Sequence, residues 1–174
     1  MEHSKNKQTT KSNTLTFILL FVYLIALIWI ILFKFSTSIH HLPQLRNINL
    51  IPYGDSLIVN GKLSYSELML NMMVFLPFGV YLSMLKPDWQ LWKRTCPAIG
   101  VSLLFEIIQY IFAIGATDVT DLINNSLGGI LGCLLYTLCT KLLHEHTNCI
   151  LNILASIGTI GFVLLFGIVI VSNL

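Results

Sequence analysis

Residues 101–132 read VSLLFEIIQYIFAIGATDVTDLINNSLGGILG, two apolar runs either side of a short polar connection. The first run begins near Thr95 and the second continues to Leu142. Each therefore approaches the roughly 20 helical residues needed to cross a hydrocarbon core. Yet both runs carry groups that are costly in lipid: Glu106 and Gln109 in the first, Asp121 and Asn125 in the second, with Asp118 between them. Such groups are tolerated where they face other helices or a polar cavity. The stretch predicts helices that hide one polar face from the membrane, which needs a bundle around them.

Working outward, the apolar run from Leu15 to Phe33 is also long enough to span. It leaves through LFKFSTSIHH, with bulky residues where a signal peptide would have a small-residue cleavage site, so it is expected to be an uncleaved first helix. The predicted spans are 15–35, 68–85, 95–113, 122–142 and 149–171, with a polar tail at 1–13 and an outer loop at 36–67. This is an all-α polytopic membrane protein with about five transmembrane helices. Its organisation is the tail, a transmembrane domain over 14–143, and the fifth helix.

Composition supports the membrane. The chain is 55% hydrophobic and 10% charged, with a mean hydropathy of +0.79. A soluble domain of ordinary composition carries about 25% charged residues to solvate its surface. The net charge of +2 is too small and dispersed for nucleic-acid binding. Cys96, Cys133, Cys139 and Cys149 lack C-x-x-C spacing, which argues against a zinc site. They lie in predicted spans or at their cytoplasmic ends, which argues against a disulfide framework.

Cytoplasmic loops retain the excess of lysine and arginine. With the N-terminus cytoplasmic, the inner segments hold Lys5, Lys7, Lys11, Lys86, Lys93, Arg94 and Lys141, and the outer ones only Lys34, Arg46 and Lys62. Trp89 and Trp92 then fall in an inner loop, at headgroup level.

Glu106 is the most costly residue in this arrangement, and Gln109 and Tyr110 follow it at i+3 and i+4 on the same helix face. A buried helix–helix hydrogen bond is the structural alternative to a functional role. Asp118 suits the N-cap of the next helix, and an acid in the first turn complements the helix dipole. Asp121, Asn125, Gly128 and Gly132 form one stripe, polar at its outer end and glycine at its inner end. The G-x-x-x-G pair Gly128 and Gly132 lets another helix approach closely. Asn71, early in the second span, stands at similar depth. Together Asn71, Glu106, Gln109, Asp118, Asp121 and Asn125 predict an acidic, amide-lined cavity opening outward.

Other signals are weaker. His40 and His41 fit an exposed loop, and His144 and His146 fit the C-terminal dipole of the fourth helix. G-x-S-x-G, H-E-x-x-H and phosphate-binding glycine loops are missing from the sequence. No histidine lies in the outer constellation to act as a base, and no nucleophile stands out, which favours a non-enzymatic role.

The run FEIIQYIFAIGATDVTDLINNSLGG closely resembles the core of the VanZ-like family of membrane proteins. IWIILFKF, NLIPY and NMMVFLPFG resemble it too, so the likeness covers roughly residues 15–143. The motif positions that map here are Asn49, Pro52, Asn71, Phe75, Pro77, Gly79, Glu106, Gln109, Asp118, Asp121, Asn125 and Gly128. Several members carry an arginine just after the loop glycine. This chain has Gly115-Ala116-Thr117 instead, as the glycopeptide-resistance branch does. The resemblance implies a multi-pass protein of the bacterial plasma membrane and low-level resistance to teicoplanin, by a route that does not rebuild the peptidoglycan precursor terminus.

Three functions follow as expectations. The first is a non-enzymatic factor whose cavity binds a membrane lipid, a lipid-linked cell-wall intermediate or teicoplanin itself. The second is an enzyme acting on a lipid-phosphate or cell-wall intermediate, with Glu106, Asp118 and Asp121 holding a divalent cation through oxygen ligands. No other cofactor is expected. The third is a proton-coupled transporter titrating Glu106, ranked last because the chain has no evident inverted repeat.

Overall fold

The computed structural model describes residues 2–33, 48–53, 58–59, 62–63, 65–115 and 117–172. The helices are α1 (Glu2–Phe33), α2 (Tyr65–Leu85), α3 (Leu91–Phe112), α4 (Val119–Leu143) and α5 (Thr147–Ser172). Short strands β1 (Ile48–Asn49), β2 (Ile58–Val59), β3 (Lys62–Leu63) and β4 (Thr117–Asp118) complete the described elements. The fold is all-α, as the sequence predicts. The polar tail is helical from Glu2 onward and continues directly into the apolar part of α1. Lys34, His40, His41, Pro43, Arg46 and Gly54 lie outside the described residues, as do the side chains of Lys5, Lys7, Lys11 and Lys62.

Four helical stretches are long and apolar enough to cross a membrane: Ser12–Phe33, Leu68–Leu85, Leu91–Phe112 and the 54-residue Val119–Ser172. A straight helix of the last length would run about 80 Å, far more than a hydrocarbon core of about 30 Å. It does not run straight. At His144 the backbone turns to φ 50 and ψ −122, and a 3-10 turn covers His144–His146. Beyond it the Thr147 hydroxyl donates to the Cys139 carbonyl at 3.3 Å, and the Tyr136 hydroxyl to Asn148 Oδ1 at 3.1 Å. Along a continuous helix residues 139 and 147 would stand about 12 Å apart. The stretch is two helices, α4 and α5, joined by a reversal.

Contacts fix the directions of the helices. Asn71, Met72 and Leu76 of α2 meet Asp121, Gly128 and Gly132 of α4 in rising order, so these two run parallel. Glu106, Ser102 and Ala98 of α3 meet Asp118, Asn125 and Gly129, the antiparallel order. Thr16 and Trp29 of α1 meet Asn152 and Phe166 of α5, so α1 and α5 run parallel. The core between α1, α2 and α3 is aliphatic and aromatic, with Leu27, Phe75, Phe78 and Phe105 buried in it. The Tyr23 hydroxyl reaches the Val74 carbonyl there.

The α2–α4 seam is the tightest in the bundle. A methyl group added at Gly132 would land on the Leu76 carbonyl oxygen and 3.0 Å from Val80 N, and one at Gly79 on the Gly129 carbonyl oxygen. Small residues allow this backbone-to-backbone approach, and dispersion then replaces lipid contact along the whole seam.

On the other side α5 leans on α1 through a small polar clamp. Thr16 Oγ1 bonds Asn152 Oδ1 at 3.0 Å, Asn152 Nδ2 donates to Ser12 Oγ at 3.4 Å, and both Thr16 and Asn152 are buried. Carrying cysteines in place of Thr16 and Asn152, in a chain whose Cys96 and Cys149 are serine, the protein is expected to form an intramolecular disulfide on mild oxidation. Disulfides require β-carbons within about 4.5 Å. The control pair Thr16→Cys with Gly167→Cys, fifteen residues further along α5, should stay reduced. Gel mobility before and after reduction reads the outcome.

Candidate functional site

The predicted polar residues gather at the end of the bundle where α3 closes and α4 opens. Ala113 ends α3 in the left-handed region at φ 54, and the Ile114 N–H returns to the Gln109 carbonyl at 3.1 Å. That reversal sends the chain back along α3 rather than away from it. The Thr117 hydroxyl consequently donates to the Glu106 carbonyl at 3.2 Å, and the Asp118 N–H to Glu106 Oε2 at 2.9 Å. Glu106 is 4% exposed. Its carboxylate accepts a main-chain donor that would otherwise be unsatisfied in an apolar setting.

Asp118 has extended geometry and caps α4, its Oδ1 accepting from Thr120 N at 2.7 Å. Its other oxygen accepts from Asn49 Nδ2 at 3.1 Å. The N-cap reading of Asp118 is therefore correct but incomplete, because the same carboxylate also holds the distant segment 48–53. That segment pairs in parallel, Ile48 opposite Thr117 and Asn49 opposite Asp118. Asn49 Oδ1 accepts from Ile51 N at 3.1 Å, Tyr53 N donates to Thr120 Oγ1 at 3.0 Å, and the Tyr53 hydroxyl reaches Asn124 Oδ1 at 3.4 Å.

Asn71 Nδ2 donates to Asp121 Oδ1 at 2.6 Å, joining α2 to the first turn of α4. Asn125 turns to α3, where its Nδ2 donates to Ser102 Oγ at 2.9 Å. Gln109 turns to α1, its Nε2 donating to the Ile31 carbonyl at 3.2 Å, one of the last-turn carbonyls that a helix cannot satisfy itself. So direct bonds link Glu106 to Asp118 and Asn71 to Asp121, whereas Asn125 and Gln109 line the same end while facing α3 and α1. Tyr110 departs from the expectation that it shares the Glu106 face, since it is 44% exposed. The buried stripe of α3 runs through Ala98, Ser102, Phe105, Glu106 and Gln109, and Tyr110 lies just past its edge.

Four residues of the cluster escape a reading of the sequence for costly groups: Ser102, Thr120, Asn124 and Tyr53. Thr120 and Asn124 sit beside Asp121 and Asn125 with the same i, i+4 spacing, so a doubled polar stripe in TDLINN was there to be found. Ser102 and Tyr53 leave no such trace. Buried amide capacity remains in the cluster: Asn124 Nδ2, Asn125 Oδ1 and Gln109 Oε1 have no hydrogen-bond partner among the described residues. Buried polar atoms of this kind are rare and costly, and each invites water or a ligand group. Among the described residues, no three His, Cys, Asp or Glu side chains stand where they could hold a metal ion together. Glu106, Asp118 and Asp121 engage main-chain N–H groups and the Asn49 and Asn71 amides instead.

The segments that build this cluster are the ones most alike to known proteins. The profile of the family described as VanZ/LLP1 matches residues 20–140, which takes in α2, α3, β1, β4, most of α4 and the C-terminal part of α1. Protein VanZ of Enterococcus faecium is 37% identical over 150 residues, covering 84% of this chain and 88% of that protein. No solved structure matches. With a family match over more than half of its length and a relative this similar across most of both chains, the protein belongs to the VanZ/LLP1 family.

Proposed function

We propose that this is a multi-pass protein of the bacterial plasma membrane, with its N-terminus in the cytoplasm, that confers low-level teicoplanin resistance without catalysing a reaction. In that orientation the polar cluster opens toward the outer face. It binds an amphiphilic ligand there, a lipid, a lipid-linked cell-wall intermediate or the antibiotic, and so limits the antibiotic's access to its target or its anchoring in the membrane. The reading rests on one observation above others: buried and half-buried carboxylates and amides from α2, α3, α4 and the segment 48–53 converge beside exposed apolar helix faces, with amide atoms left unsatisfied. Family membership supplies the link to glycopeptide resistance.

Glu106→Gln separates architecture from function. Glutamine keeps a carbonyl oxygen to accept the Asp118 N–H but removes the charge. At equal membrane abundance, Glu106→Gln and Asp121→Asn are expected to bring the inhibitory concentration of teicoplanin down to that of cells with an empty vector. Wild-type inhibitory concentrations for both variants would remove the cluster from the mechanism.

A further inference from the structure

The segment 48–53 shows a combination that an ordinary aqueous loop does not need. Leu50 is 75% exposed and Ile51 70%, yet main-chain N–H groups beside them are held from within the protein. Ile51 N–H is held by Asn49 Oδ1, Tyr53 N–H by Thr120 Oγ1, Pro52 has no donor to satisfy, and β1 pairs with β4. In water, solvent would serve these groups and the tip would be polar.

Depth explains the combination. Lys86 and Lys93 lie over the exposed rings of Trp89 and Trp92, at 5.6 and 5.4 Å, and Arg94 is next along the chain. Aromatic rings with lysine and arginine mark a headgroup level. From Arg94 the helix α3 rises about 27 Å to Phe112, so its far end only just reaches the opposite edge of a hydrocarbon core of about 30 Å. Glu106 lies about 9 Å short of Phe112. Asp118 is bonded to Glu106, and Asn49 to Asp118. The extended backbone of 48–49 and 117–118 therefore stands inside the hydrocarbon boundary, where non-helical chain persists only if protein satisfies it. The last turns of α3 at that level expose Ile107, Ile111 and Phe112.

We propose that residues 49–53 are a re-entrant wedge whose Leu50 and Ile51 side chains lie against the acyl chains of the leaflet at this end of the bundle, the outer leaflet in the orientation given above. The polar cluster is then roofed by a membrane-embedded segment and is entered sideways from the bilayer. The Asn49–Asp118 and Tyr53–Asn124 bonds fasten the wedge over α4.

Spin labels attached at Leu50→Cys and, separately, Ile51→Cys test this in the full chain in phospholipid vesicles. Cys96, Cys139 and Cys149 are changed to serine and the buried Cys133 is kept. Phe112→Cys serves as the lipid reference and His146→Cys as the aqueous one, both being exposed positions. At both test sites, collisions with oxygen are expected to exceed those with a water-soluble nickel chelate several-fold, as at Phe112. A ratio like that of His146 would place the segment in water, and low accessibility to both relaxers would mean that protein covers it; either result overturns the wedge. Both test positions are exposed, so the labels displace no core packing. The readout does not involve resistance, so it can fail while the proposed function stands, and the reverse.

Discussion

Gly132→Val is expected to destabilise the bundle severely. The added β-carbon meets the Leu76 carbonyl oxygen and Val80 N, which are main-chain atoms of α2. A side chain could turn away; a helix backbone can only retreat as a body. Inserting methyl groups where side chains can adjust costs about 1–3 kcal/mol. Here α2 and α4 must separate along the whole seam that also carries Gly128 and Gly79, so the loss should exceed about 3 kcal/mol. For a chain of 174 residues that lowers the melting temperature by about 6–12 °C or more. Thermal unfolding of detergent-purified protein by intrinsic fluorescence, with gel filtration for dispersity, reads the result. Gly158→Val is the matched control: nothing lies within 4 Å of the β-carbon it would add on α5, so the same chemical change should leave the melt near wild type. Equal behaviour of the two variants would contradict the close α2–α4 approach.

Asp118→Ala should produce the second large effect. One carboxylate caps α4 through Thr120 N and holds the 48–53 segment through Asn49 Nδ2. Loss of an N-cap alone costs about 0.5–2 kcal/mol. The Asn49 amide would in addition be left without this acceptor beside buried neighbours, and a buried orphan donor costs about 1–3 kcal/mol. The expected sum is about 2–4 kcal/mol, since the segment can partly relax. Release of 48–53 should also open it to protease, with new cleavage near Tyr53 in folded protein. Asp118→Asn retains an amide oxygen for the cap and should recover most of the stability. Protection equal to wild type in Asp118→Ala would show that other contacts hold the segment.

Much of this architecture is legible in the residues alone, for a definite reason. Bilayer thickness imposes a length on every span, and the transfer cost of charge forbids carboxylates from facing lipid. Those two constraints are local, so the apolar runs and the rank of Glu106 as the costliest side chain follow from reading along the chain. The Asp121–Asn125–Gly128–Gly132 stripe is legible because a helix projects its own periodicity, and the contacts with α2 made by Asp121, Gly128 and Gly132 agree with it. Tyr110 shows where periodicity blurs: at the edge of a stripe, one neighbouring helix decides between burial and exposure.

What the sequence alone determined about this protein is its solvent, its helices and which polar groups had to be hidden. Only the tertiary structure decided with whom each is hidden: Glu106 with the Asp118 main chain, Asn125 with Ser102, Gln109 with the last turn of α1, and Asp118 with Asn49 from sixty-nine positions away. A hydrogen bond needs two partners within about 3 Å, and the identity of the second is a property of chain reversal and helix register. The left-handed Ala113 and the turn at His144 set both, and neither position carries the glycine that would have announced it.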